Sequence, residues 1–240
     1  MKALALLLLL SLFSFSCSDD EKEEKKSEPF EELPPGIVES KPCSTLYKGI
    51  MDMFREHNNN SEAYAQLFST TVERKILITR ESEVFVSFIS EGAGWANTFG
   101  WYSYNVNNPP GSAKDIEKHV MFPHVSDEIL TQGDMLKVGD GTFKAGTVIG
   151  FFLISRGWEN GVVNYTKQTL YTDPQLNKNQ YQQHVLFKEG DCGDIVLGFE
   201  DRNLDMEDCD FDYNDIIMTI SDNNQQLETV NFDLTKIVVL

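Results

Sequence analysis

The sequence predicts an all-β fold, an antiparallel β-sandwich or jelly roll, preceded by a short helical segment. Three observations predict it. Apolar and polar residues alternate in short runs, as from Glu83 to Ser90, where Val84, Val86 and Phe88 face one way. Turn-forming clusters separate the runs: Asn107-Asn108-Pro109-Pro110-Gly111, Gly139-Asp140-Gly141 and the stretch from Arg156 to Gly161. No helical pattern alternates with the strands, which argues against a parallel α/β arrangement.

The chain opens with Lys2 and an apolar run from Ala3 to Phe15. Thirteen residues is too short for a membrane span, which needs about 20. A basic start, a short apolar core and small residues before Cys17 describe a signal peptide over 1–16. Cleavage there makes Cys17 the first mature residue, the position that lipoprotein maturation modifies. Ser14 stands where a lipobox has an aliphatic residue, so simple secretion is the alternative. The acidic and basic run from Ser18 to Lys26 resembles the tether behind the lipidated cysteine of surface lipoproteins in the Bacteroidota. The expectation is therefore an exported outer-membrane lipoprotein, surface-exposed and held to the membrane through lipid on Cys17. Residues 17–42 have little apolar content and the pair Pro34-Pro35, so they are expected to form a disordered tether.

From Ser44 to Phe68 the pattern turns helical, with Leu46, Tyr47, Ile50, Met51, Met53 and Phe54 at three- and four-residue spacing. The run His57-Asn58-Asn59-Asn60 ends that helix, and Ser61-Glu62 opens a second, short one. This gives a helical segment over 43–70 and a β-domain over 71–240. Strands are expected at Glu73–Arg80, Glu83–Ser90, Phe99–Asn105, Gly146–Ser155, Gln183–Lys188, Gly193–Phe199, Tyr213–Ser221 and near Leu227–Val239.

Formal net charge is −18, from 38 acidic and 20 basic residues. No basic stripe exists to neutralise phosphates, which excludes nucleic acid as a partner. Beyond Cys17 the chain has Cys43, Cys192 and Cys209. In an oxidising compartment they permit one disulfide and one odd thiol, or three buried thiols, and the pairing stays open.

The most informative stretch runs from Glu200 to Asp215, with eight carboxylates in 16 residues and only Arg202 to offset them. It lies between two expected strands. Along an extended segment Asp208, Asp210, Asp212 and Asn214 alternate at period two and project to one side. Each like-charged pair at a few ångströms costs on the order of 1 kcal/mol in water and more when half-buried. A hard cation with oxygen ligands converts that repulsion into coordination, and calcium tolerates the irregular geometry of loops. Zinc is disfavoured because no histidine lies nearby in the sequence. An EF-hand is excluded: starting its template at Asp208 or Asp210 puts Tyr213 or Asp215 where glycine is needed.

Phe199-Glu200-Asp201, then Asp210-Phe211-Asp212-Tyr213-Asn214-Asp215 and an apolar strand, resembles the closing signature of the DUF4114 family of secreted bacterial domains. Phe88 to Gly94 with Gly100-Trp101-Tyr102, Gly146 to Leu153, and Gln183-His184-Val185 match in the same order. The resemblance covers roughly Val84 to Ser221. It implies a β-sandwich-like domain of surface-anchored or adhesin-like proteins, with no enzymatic activity established. The family's acidic core maps onto Glu200, Asp201, Asp210, Asp212, Asn214 and Asp215. The chain departs from it by a longer acidic insert, Arg202 to Cys209, which adds ligands or merely bulges.

Glu91, in a Ser-Glu-Gly-Ala-Gly turn, is a further candidate ligand. Trp95, Phe99, Trp101, Tyr102 and Tyr104 with Asn97 and Asn105 have the residue types of a glycan platform, or are core aromatics with polar tips. His119, His124 and His184 fit no metal-ligand spacing. The expected function is thus a calcium-binding surface module that engages a glycan or a surface protein, not an enzyme. The alternative is a hydrolase of surface polysaccharide using the acidic cluster, although crowded acids lack the contrast that separates an acid from a base.

Overall fold

The computed structural model describes residues 33–225 and 227–240. The expected signal peptide, Cys17 and the first part of the expected tether lie outside the described residues. The strands, in chain order, are β1 (Val38–Glu39), β2 (Ile76–Leu77), β3 (Phe85–Glu91), β4 (Asn97–Asn105), β5 (His119–Val125), β6 (Asp134–Lys137) and β7 (Thr147–Ile154). They continue as β8 (Trp158–Glu159), β9 (Val162–Val163), β10 (Thr169–Tyr171), β11 (His184–Lys188), β12 (Ile195–Phe199), β13 (Ile216–Ser221) and β14 (Val238–Val239).

The fold is an all-β sandwich. One sheet has the order β1-β6-β3-β13-β12-β11-β14, and the other β10-β7-β4-β5, with β2 also pairing β7. All pairings are antiparallel except β11 with β14. The alternation in β3 does what it predicts: Val84, Val86 and Phe88 face the inter-sheet core with Phe99, Phe151, Leu153, Leu197 and Met218.

The sequence reading assigns no strand to β5 or β6. In β5, Pro123 interrupts the donor pattern and is tolerated because the strand lies at a sheet edge. β6 has only four residues. The Arg156–Gly161 region is not a plain loop: β8 and β9 form a hairpin across Asn160-Gly161, both with positive φ, as a tight two-residue turn requires.

The helical segment covers the outer face of the larger sheet. Helix α1 (Leu46–Met53) presents Leu46 and Ile50, followed by Phe54, at four-residue spacing. They pack with Ile89, Val185, Phe187, Val196 and Ile217, which point away from the inter-sheet core. Helix α2 (Asn60–Ala63) is capped by Asn59, whose side chain accepts from the Glu62 N–H. A 3-10 turn over Ala65–Phe68 follows.

The chain joins the sheet ahead of residue 42. Val38 and Glu39 pair with Met135 and Asp134, and the Ser40 hydroxyl donates to the Gly133 carbonyl at 2.7 Å. The open cysteine pairing resolves as Cys43–Cys192, which leaves Cys209 a buried free thiol. A bridge across a sequence separation of 149 stabilises by about 5 kcal/mol in the chain-entropy picture, and it ties the helical segment to the sheet.

Candidate metal centre

Three adjacent strands of the larger sheet bring the acids together. β12 ends at Phe199, β13 starts at Ile216 opposite Phe199, and β3 ends at Glu91 opposite Ile216. Glu200 and Asp201 therefore leave one strand where Asp215 enters the next. The register of β3 against β13 shifts between Ile217 and Met218, next to Ser90 and Glu91. Such a bulge re-aims the side chains that follow it.

Between β12 and β13 the acidic segment is neither extended nor a strand. Phe211 and Tyr213 have φ of 63° and 57°, a left-handed conformation that costs on the order of 1–2 kcal/mol for a residue with a Cβ. Tyr213 is buried and Phe211 partly buried against the core that α1 covers. Gly198 is needed beneath this loop, because a Cβ there would stand 2.5 Å from the Tyr213 carbonyl oxygen. The expected single row of Asp208, Asp210, Asp212 and Asn214 therefore does not form. Aromatic burial at every second residue twists the chain and distributes the acids over different places.

Carboxylate oxygens of Glu200, Asp201 and Asp215 lie within 4.8 Å of one another. Glu200 is 1 % and Asp201 2 % exposed. The Asp201 N–H donates to Asp215 Oδ2 at 2.7 Å, and Asn97 Nδ2 donates to Asp201 Oδ2 at 2.7 Å. From the facing sheet, the Ser155 hydroxyl donates to the Asp201 carbonyl. Glu200 Oε2 has no hydrogen-bond partner. Burial pushes the Glu200 carboxyl up to about 7, reinforced by the charges of Asp212 and Asp210. Burial and the charges of Asp201 and Glu200 raise Asp215 strongly. Two full charges 4.8 Å apart repel by about 3 kcal/mol at an effective dielectric near 20. The trio is thus an oxygen-only donor set with an orphaned buried oxygen, which suits a hard divalent cation.

The remaining predicted ligands stand elsewhere. Glu91 is outside the trio: burial and the charge of Asp127 raise it to about 7, with Asp201 contributing less. Asp210 and Asp212 join Glu56 and His57 in a second group whose ligand atoms also lie within 4.8 Å of one another. His57 Nδ1 lies 2.8 Å from Asp210 Oδ2, and the His57 N–H donates to Asp212 Oδ2 at 3.0 Å. The Asp210 hydrogen bond and the charge of Glu56 raise the His57 imidazole above its usual value. Asn214 donates through Nδ2 to the Phe54 carbonyl, and its Oδ1 is buried without a partner.

So a histidine does lie beside the acids. Sequence spacing hides it, because Glu56 and His57 are some 150 residues from the loop they meet. Asn97 and Cys209 were missed for a similar reason. Asn97 reads as part of an aromatic cluster, and the Cys209 thiol, which hydrogen-bonds Glu200, reads as a disulfide candidate. Within the insert, residues 205–208 bulge to solvent: Asp208 pairs with Arg202, and Asp205 with Lys178 at 2.6 Å.

The aromatic group does not form one platform. Phe99 and Tyr102 are fully buried, Trp101 stacks on His119, and Trp95 lies between the guanidinium groups of Arg156 and Arg202. His184 is a core residue at the start of β11, its Nε2 against the Arg74 carbonyl at 2.8 Å and its pKa lowered to about 4 by burial.

Neither a search of curated proteins nor one of solved structures finds a match to this chain. A family match covers residues 143–223, shorter than the Val84–Ser221 span of the motif resemblance, and it contains β7 to β13 with the whole acidic loop. Those residues match the DUF4114 family, described as a domain of unknown function.

Proposed function

We propose that the chain is an exported, lipid-anchored surface module in which calcium, held by Glu200, Asp201 and Asp215, locks one end of the β-sandwich. The observation that carries the reading is the trio of carboxylates within 4.8 Å, two of them buried, with Glu200 Oε2 unpartnered. Six to eight oxygen ligands suit calcium, so backbone carbonyls or water complete the shell. The residues supply orientation: Asn97 and the Asp201 N–H hold two of the three carboxylates in place. The three acids share one buried environment, which favours binding over acid–base catalysis. A partner, glycan or protein, is then met by the outward loops within 105–118 and 157–182. Anchoring on Cys17 and the outer-membrane location rest on the N-terminal sequence pattern, and loss of labelled-lipid incorporation in Cys17→Ser checks them.

The test is thermal unfolding of the purified protein with calcium, with magnesium and with excess chelator. At a hundredfold excess over Kd, calcium stabilises by about 2.7 kcal/mol. For a domain of this size the midpoint rises by about 5–11 °C. An unchanged midpoint overturns the reading, and an equal rise with magnesium removes the calcium assignment.

A further inference from the structure

We infer that a second divalent cation, of the borderline class that accepts imidazole nitrogen and best represented by zinc, binds where the helical segment meets the acidic loop, on Glu56, His57, Asp210 and Asp212. The site goes beyond the calcium trio and shares none of its carboxylates.

Its donors come from two distant parts of the chain. Glu56 and His57 follow α1, outside the residues that match the family, whereas Asp210 and Asp212 lie in the acidic loop. An acidic cluster alone would mean little, and two further observations point to an occupant. The Asn214 side chain is only 6 % exposed, and its Oδ1 has no hydrogen-bond partner. A buried amide oxygen left unpaired costs about 1–3 kcal/mol, so something beside it should accept its lone pairs. Gly92 locates the space: a Cβ there would stand 2.8 Å from Asn214 Oδ1 and 3.3 Å from Glu56 Oε2. The missing side chain thus leaves a cradle between an orphaned amide oxygen and one of the four clustered ligands.

The chemistry distinguishes this site from the first. The trio of Glu200, Asp201 and Asp215 is all oxygen, with Glu200 and Asp201 buried and Asp215 half-buried. Here an imidazole nitrogen joins the carboxylates, and the His57 side chain is 78 % exposed, so a metal can enter from solvent. Imidazole suits zinc and its neighbours, while calcium favours oxygen alone. Asp212 is held for the task, one carboxylate oxygen accepting from the His57 N–H and the other from the Asn214 N–H at 3.2 Å. Zinc here would fasten the chain just past the C-terminal end of α1 to the loop, whereas the disulfide holds the chain ahead of that helix.

The experiment counts metals per chain by mass spectrometry after dialysis of the full-length protein against calcium and zinc together. The wild type is expected to hold one calcium and one zinc. Replacing Glu56→Gln together with His57→Gln alters two exposed side chains and should remove the zinc while calcium stays. The zinc affinity should fall by more than the about 10–100-fold that an outer-shell change costs. Gly92→Ala should weaken zinc by filling the cradle. Zinc retained by the Glu56→Gln/His57→Gln variant, no zinc on the wild type, or two calcium ions with no zinc would each overturn the proposal. Loss of calcium alone in Asp215→Asn separates failure of the trio from failure of this site.

Discussion

Two of the places where this molecule buries carboxylates solve the same problem differently. Asp173, 5 % exposed, receives the Tyr104 hydroxyl on Oδ1 and the Tyr102 hydroxyl on Oδ2, each at 2.8 Å. Both oxygens are met by protein donors. At the other place Glu200, Asp201 and Asp215 crowd together, and Glu200 Oε2 has no donor at all. A lone buried acid can be satisfied by two phenols because each hydroxyl supplies one proton and costs no charge. Three crowded acids must lose charge to protons or balance it with positive charge, and no side chain within the trio supplies the latter. The difference is between an acid whose two oxygens are both paired by the protein and a cluster that leaves one buried oxygen unpaired.

That comparison can be broken experimentally. The largest expected effect is on the calcium response. Glu200→Gln or Asp215→Asn should abolish most of the about 2.7 kcal/mol gain that calcium gives, while raising the midpoint measured in chelator, because each removes a repelling charge. A variant that keeps the full calcium response would move the ion elsewhere.

Next comes Tyr102→Phe, which removes a donor to buried Asp173. A hydrogen bond to a charged group is worth about 1.5–3 kcal/mol, and the loss should be the same with calcium or chelator. Unequal losses would show that the two acid regions are energetically coupled.

The pH dependence sharpens the contrast further. Folding raises Glu200 from its ordinary value to about 7 and Asp212 to about 6, in both cases first through burial. A raised carboxyl binds more protons folded than unfolded, so the metal-free protein loses stability as pH climbs from about 4.5 through 7. Calcium competes with those protons, so its stabilisation should grow over the same range. Chemical denaturation at both ends of the window, with calcium and with chelator, checks the two opposite slopes. Parallel slopes would contradict a cation at the trio.

The smallest effect is expected in the insert. Asp205 pairs with Lys178 at the surface, and exposed pairs contribute about 0–1 kcal/mol. Asp205→Asn should leave the midpoint and the calcium response nearly unchanged. A large loss of calcium response would return the insert to the ligand set.

Much of this was legible without coordinates. The period-two pattern of β3 predicts its inward face, since each side chain's direction follows from its neighbours in the chain. The position of the acids between two apolar strands follows equally from local pattern. Two strands were harder: Pro123 in the edge strand β5 and the four residues of β6 leave too little periodicity to read.

What the sequence by itself determined is the set of short amphipathic strands, the helical stripe of Leu46, Ile50 and Phe54, and an acidic loop between two of the strands. Each of these follows from residues close together along the chain. Only the tertiary structure decided which acids meet. Left-handed backbone at Phe211 and Tyr213 sends Asp212 toward His57 and leaves Glu200 with Asp201 and Asp215. Packing likewise chose Cys192 as the partner of Cys43 and placed Glu56 beside Gly92. Those contacts join residues from 14 to 155 positions apart. Their closeness depends on how two sheets and a helix pack, which no local spacing records.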